Sequence, residues 1–332
     1  MEIEINEVEE TLYKILTKLD YSKDDINLII DVYLGGELRG QETHGLAPFP
    51  SFVKQDFSQL EEPQVILHSH SLYYIDAKGH PGITVGRKAA DEAIAIAKKE
   101  GVGSAVIKNM RDWSRPGAIA NYIAKHNMVG VVTNIGSGQA VAPPGGVDPT
   151  LGTNPIAYAI PTENEPLEVE MATSKKAWGN VRIANKYGVE LPEDTFLTAD
   201  GSNAVYPKDA HSVKTFGEHK GFAISMMIAI LNGTMLGNPL IIEADASNYS
   251  KPWPPNSGSI TVYNPELFGG LNTFIAETQA GINSIKNSTP MSGQTITIPG
   301  ESSGSRSLKN KAEGKIEIAP ELWEEINSLL QV

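Results

Sequence analysis

The chain reads as an α/β protein with helices at both ends. Through its middle, short apolar runs alternate with helical stretches. Near its two ends, residues 8–34 and 322–330 carry apolar side chains at helical spacing. At 332 residues the chain has room for a large core in one or two domains.

The elements follow in order. Val8, Leu12, Ile15, Leu16 and Leu19 mark a first amphipathic helix. Ser22 with an acidic residue three positions on, Asp25, caps a second helix that carries Ile26, Ile29, Ile30, Val32, Tyr33 and Leu34. A glycine-punctuated loop then holds Arg39, Glu42, Thr43 and His44. Leu72–Asp76 reads as a strand, and Gly79-His80-Pro81-Gly82 as a turn. A long helix follows through Ala89 to Ala97 and stops at Gly101. Ser104–Ile107 is a buried strand, Gly117–His126 a helix, and Val129–Asn134 and Ile156–Ile160 two more strands. Phe222–Leu231 is nearly continuous in apolar residues but too short for a membrane span, so it reads as a buried helix. Residues 244–260, rich in Ser, Asn, Pro and Trp, read as a long loop. Leu322, Trp323, Ile326, Leu329 and Leu330 mark a last amphipathic helix.

Composition excludes several classes. The chain has 27 Lys plus Arg against 40 Asp plus Glu, a balance of −13, and its cations are scattered, so no nucleic-acid face is expected. It has no Cys, which removes disulfides, thiolate metal sites and a cysteine nucleophile. The acidic start and the lack of long apolar runs point to a soluble, cytoplasmic protein that does not engage a membrane.

Common nucleotide motifs are missing as well. Gly101-Val102-Gly103 precedes a strand, Gly136-Ser137-Gly138 lacks the third glycine, and no phosphate loop is present. The seven histidines show no i, i+4 pair, so no metal site is expected. His68 and His70, on one face of a strand, read as surface residues. What remains are polar residues on loops: His44, Asp112 in Asn109-Met110-Arg111-Asp112-Trp113-Ser114-Arg115, and His219-Lys220 at a helix start. A helix N-terminus with a lysine is a natural anion cradle. Taken singly, a loop histidine usually caps or faces solvent, and an aspartate beside two arginines usually forms ion pairs.

Taken together and in order, these segments resemble the type-2 malate/L-lactate dehydrogenase family. The likeness rests on Arg39-Gly40-x-x-Thr43-His44-Gly45, Gly103 to Asn109, Thr133-Asn134, Pro143-Pro144-Gly145-Gly146 and Leu151-Gly152-Thr153-Asn154-Pro155. It continues through Met171-Ala172-Thr173-Ser174, Gly217-x-His219-Lys220-Gly221 and Ile298-Pro299-Gly300-Glu301. Asn109, Trp113 and Arg115 look most like the diketogulonate reductase branch. The resemblance implies a mixed-sheet, non-Rossmann α/β part (residues 76–304) that binds NAD or NADP, and a helical part built from both chain ends (1–75 with 305–332). It further implies a homodimer and hydride transfer between nicotinamide and a small 2-oxo, 2-hydroxy or cyclic imino acid. By position, His44 matches an acid/base histidine. Glu170, Met171, Ala172, His219, Lys220, Gly300, Glu301 and Ser302 match cofactor-contact segments.

Four departures touch chemistry. Asp112 stands where the family carries its usual catalytic histidine, and Pro48 where an arginine holds the substrate carboxylate. Ile135 replaces a serine, and Glu170 an aspartate. His44 can exchange a proton near neutral pH. Asp112, flanked by Arg111 and Arg115, is expected to stay ionised as partner of a protonated His44 or of an iminium substrate. Arg39 or Arg115 are the candidates for the substrate carboxylate, with Trp113 beside them. The alternative is a catalytically silent or repurposed binding protein on the same scaffold.

Overall fold

The computed structural model describes all residues except 20, 56, 58, 112, 137, 241–255 and 332. The chain opens with strand β1 (Glu2–Glu4) and helices α1 (Ile5–Lys18), α2 (Lys23–Leu38) and α3 (Phe49–Val53). Ser22 caps α2 as expected, its Oγ accepting from the Asp25 amide at 3.2 Å. Strands β2 (Gln64–His68) and β3 (Leu72–Asp76) lead into α4 (Gly82–Glu100), β4 (Val102–Met110), α5 (Pro116–Lys125), β5 (Val129–Asn134), β6 (Ile156–Ile160) and β7 (Leu167–Met171). Then come α6 (Gly179–Tyr187), the short strands β8 (Phe196–Leu197) and β9 (Ser212–Val213), and α7 (His219–Asn232). The chain ends with β10 (Asn256–Tyr263), α8 (Leu271–Lys286), α9 (Glu301–Glu313), β11 (Lys315–Glu317) and α10 (Pro320–Ser328).

Seven strands form one sheet in the order β2-β3-β4-β10-β5-β6-β7. Only β3 and β4 run parallel, and every other neighbouring pair is antiparallel, so the sheet is mixed and not doubly wound. Alternation along β5 places helices on both faces. Gly130 lies against Ala120 and Ile123 of α5, while Thr133, of the other parity, accepts from Asn232 of α7 at 2.9 Å.

Two expectations need correction. Residues 256–260 were expected in a loop, but they start β10, a central strand between β4 and β5; residues 244–255 of that expected loop lie outside the described residues. The boundary at residue 75 also moves, because β2 and β3 are hydrogen-bonded into the sheet and do not belong with the helical ends.

The two chain ends share one core. Val8, Leu12 and Leu16 of α1 pack with Ile26 and Ile29 of α2, Phe49 of α3, and Trp323 and Ile326 of α10. Each such aliphatic side chain contributes about 1.5–3 kcal/mol on burial. β1 pairs antiparallel with β11, Ile3 opposite Ile316, which fastens the first residues to the last. A second core lies between the sheet and helices α4 and α5, and a third gathers Val141, Leu151, Phe196 and Val213.

Candidate active site

The stretch 35–45 forms the last turn of α2 and the loop that follows it. Gly40 and Gln41 donate backbone hydrogen bonds to the Glu37 and Gly36 carbonyls at 2.8 and 2.9 Å, and His44 donates to Gln41 at 2.8 Å. Thr43 Oγ1 lies 2.8 Å from His44 Nδ1. The Thr43 methyl rests against the first turn of α6 at Gly179, and a Cβ there would also lie 3.4 Å from Arg182. Thr43, Pro48 and Arg182 line a cavity of about 1430 Å³ between the helical ends and α6.

Beside this loop lies a buried charge cluster that the sequence did not reveal. Arg115 is 3% exposed. Its Nη2 sits 3.1 Å from Glu168 and 3.2 Å from Glu170, and its Nε donates to Glu170 at 3.3 Å. Arg39 approaches Glu168 at 3.3 Å, and Asn121 donates to Glu168 at 2.8 Å. Glu170 also accepts from the Gly117 amide at 3.0 Å and from Gln41 at 3.2 Å. Burial raises both carboxyls. At Glu168 it wins, because Arg39 and Arg115 offset it only in part. At Glu170, Arg115, the Gly117 amide, His44 and Gln41 together outweigh burial and hold the group below the usual carboxylate range. Glu170 is therefore the firmly ionised member, and its field reaches the His44 imidazole.

Strand β7 and the residues after it also form a floor on which two helix N-termini stand. Gly300, immediately before α9, has φ +78°, and a Cβ there would come within 2.5 Å of the Glu168 carbonyl. Only glycine allows both that conformation and that approach. Gly221 in the first turn of α7 lies against Thr173, whose carbonyl also accepts from the Phe216 amide at 3.1 Å. The start of α7, with His219 and Lys220, thus meets the Thr173 end of this segment, and the start of α9 meets its Glu168 end. The Lys220, Gly221 and Phe222 amides are bonded to the Gly217, Phe216 and Glu218 carbonyls, so at α7 the Lys220 ammonium and the helix dipole are what suit an anionic cofactor.

A malate/L-lactate dehydrogenase family model matches residues 3–327, almost the whole chain. The chain belongs to the malate/L-lactate dehydrogenase family. The malate dehydrogenase of Pyrococcus abyssi is 30% identical to it, over 95% of this chain and 90% of that one. Delta(1)-pyrroline-2-carboxylate reductase 1 of Burkholderia ambifaria is 27% identical over 99% and 97%. The solved structure of the sulfolactate dehydrogenase of Methanocaldococcus jannaschii superposes with TM-score 0.88 at 26% identity, covering 100% of this chain and 97% of that one. As a family member the chain is an oxidoreductase, and its relatives act as dehydrogenases and reductases.

Set against this family, the site residues expected from the sequence fall into three groups. His44, Gly300, His219 and Lys220 stand on the loop and helix starts just described. Met171 and Ala172 continue β7, with Met171 42% exposed. Glu301 is engaged locally, pairing with Lys286 and accepting from the Ile298 amide at 2.9 Å, and Ser302 follows it on α9. Asp112 lies outside the described residues. Three of the expected residues are engaged within the protein. Trp113 is 1% exposed, wedged against Gly86 and Gly258 in the sheet core. Arg115 closes its guanidinium over Glu168 and Glu170 and so holds the site together from inside. The Glu170 side chain is likewise fully engaged by protein groups, Gln41, Arg115 and the Gly117 amide. Arg39, half-engaged by Glu168, lines a second cavity of about 450 Å³ with Gly300. Glu37, Glu168 and Arg182 were missed, since isolated charged residues on apolar or mixed stretches carry no motif. Among the described residues no cluster could hold a metal ion, and no helix is long and apolar enough to cross a membrane.

Proposed function

We propose that the chain reduces a small 2-oxo acid or a cyclic imino acid with NADH or NADPH, or oxidises the corresponding 2-hydroxy acid, with His44 exchanging the proton. Nicotinamide, when bound, supplies or takes the hydride. The observation that carries this reading is the position of His44 beside Glu170, in the segment whose two ends meet the starts of α7 and α9. Thr43 engages Nδ1, so Nε2 is assigned to proton exchange with the substrate oxygen or nitrogen. Glu170, held ionised, stands beside the imidazole as a fixed negative charge. Lys220 and the start of α9 would hold the phosphates, while Gly300, Glu301 and Ser302 shape the floor. The substrate carboxylate is assigned to Arg182, which lines the Thr43 cavity, because Pro48 offers no cation and Arg115 is closed off. Asp112 is kept as an electrostatic partner of His44 or of an iminium. Trp113's place in the core takes a substrate role away from the motif behind the diketogulonate reductase likeness, so that branch is not proposed as a guide to substrate.

We further infer a homodimer, and a division into a helical part from both chain ends and an α/β part beginning near residue 64. Turnover of NADH and NADPH with pyruvate, oxaloacetate and Δ1-pyrroline-2-carboxylate tests the activity. His44→Ala should lower kcat by about 10² or more and leave cofactor affinity within a fewfold. A His44→Ala enzyme with unchanged turnover removes His44 from the chemistry. Failure of every substrate, in a protein that binds cofactor, would favour the silent-scaffold alternative.

A further inference from the structure

The loop that carries His44 has no regular structure of its own, so something must hold it still. We infer that Glu37 is a positioning residue for His44, its side chain fastening the loop to the end of α2. The inference rests on the reading of His44 as the proton-exchanging group.

The fastening is visible atom by atom. Glu37 sits in the last turn of α2, and its Oε2 accepts from the Leu46 amide at 2.7 Å, nine residues on. That bond spans the loop: the Glu37 backbone carbonyl takes Gly40 at the near end, and the carboxyl takes Leu46 at the far end. The loop is pressed onto the helix between these points. A Cβ on Gly36 would lie 2.7 Å from the His44 carbonyl, and one on Gly45 would lie 2.2 Å from Glu37 Oε2. The close approach thus runs through a glycine on each surface, Gly36 on the helix turn and Gly45 on the loop, and the His44 carbonyl is packed against the first.

Glu37 is also placed to titrate. Burial pushes its carboxyl up to about 7, the Leu46 amide pulls it back in part, and Glu42 on the loop adds to the rise. The charged groups around this seat are Glu42 and His44 on the loop, Arg115 packed against Gly36, and Arg306 of α9 packed against Gly40. An ionised carboxylate makes a shorter and stronger bond to an amide than a neutral acid does. The loop is therefore held more firmly above pH 7 than below it.

Three variants and two readouts test this. Glu37→Ala removes the acceptor; Glu37→Gln keeps an oxygen for Leu46 but cannot ionise; His44→Gln identifies the His44 resonance among the seven histidines. In imidazole NMR spectra of the folded protein, Glu37→Ala should shift or broaden the His44 signal and leave the other six in place. The same variant should lower kcat about tenfold or more with KM within about threefold, since the Glu37 carboxyl is taken up by the Leu46 amide. Glu37→Gln should recover most of kcat below pH 7 and lose the further rise above it. An unmoved His44 resonance in Glu37→Ala overturns the inference. Should that variant fail to fold, a wild-type pH profile in Glu37→Gln overturns it instead. Absence of turnover in the unmutated protein counts against the proposed reaction alone, because the NMR readout needs no substrate.

Discussion

Arg115 poses a choice between two uses of one guanidinium, and stability measurements distinguish them. Closed over Glu168 and Glu170, it is the cation the two carboxylates share, in an interior where each costs several kcal/mol to bury. Arg115→Met should leave Glu170 without a cation and Glu168 with Arg39 alone, and destabilise the fold by about 3–5 kcal/mol in denaturant titrations. An arginine serving only the substrate would raise KM and leave the titration midpoint unmoved. Glu37 gives a second test, through pH. Its folded pKa of about 7 lies above the ordinary carboxylate value of 4.5. Between those values the native chain binds more protons than the unfolded one, so this group's contribution to stability falls as pH rises from about 4.5 to 7. Glu37→Gln should flatten that slope and be more stable than the unmutated chain at pH 8, by about 3 kcal/mol at most. A steeper fall in Glu37→Gln would show the burial argument to be wrong. His44 could be read from the sequence because a histidine in a glycine-rich, polar loop is conspicuous. Glu37 and Glu168 could not, because nothing local separates them from the other acids; their burial comes from segments far away in the chain.

The same division holds for whole elements. Strands β5 and β6 were readable from the sequence, since each is an unbroken apolar run bounded by turn residues. Strand β10 was not, although Ile260-Thr261-Val262-Tyr263 is strand-like, because its first residues are Asn, Ser and Gly and it follows a Pro- and Asn-rich stretch. Helix α8 was missed although Leu271, Phe274, Ile275, Ile282 and Ile285 fall at helical spacing, and none of its residues is buried. Helix α7 was placed correctly but read as buried throughout. Only Gly221, Ser225, Ile228, Ala229 and Asn232 are buried, while Met227 and Leu231 are half exposed. The starts of α7 and α9 carry the predictions at this scale. Lys220→Ala should weaken NADH or NADPH binding tenfold or more without changing the thermal midpoint, as loss of a phosphate-facing ammonium would. Gly300→Ala forces a side chain into φ +78° and onto the Glu168 carbonyl, so both cofactor affinity and stability should fall. An unchanged dissociation constant in both variants would take the cofactor away from this floor.

For the molecule as a whole, the exposed face of α7 supports the inferred homodimer. Met227 and Leu231 are about half exposed on one helix, and such apolar faces commonly mark subunit contacts. Sedimentation should find a particle of about twice the 35.8 kDa chain. Leu231→Glu should shift it toward the single chain, and a species of chain mass alone in the unmutated protein would refute the dimer. The pairing of β1 with β11 has a different consequence, one of timing during synthesis. Ile3 leaves the ribosome first, but its partner Ile316 is made about 310 residues later. At roughly 5–20 residues per second that is a wait of about 15–60 s. Through that interval α1 and α2 lack Trp323 and Ile326, so their apolar faces stand open to chaperones, and the sheet too waits for its central strand β10 until residue 263 is made. The loop bearing His44 springs from α2, so the nascent chain should complete its sheet shortly before His44 reaches its final setting on release.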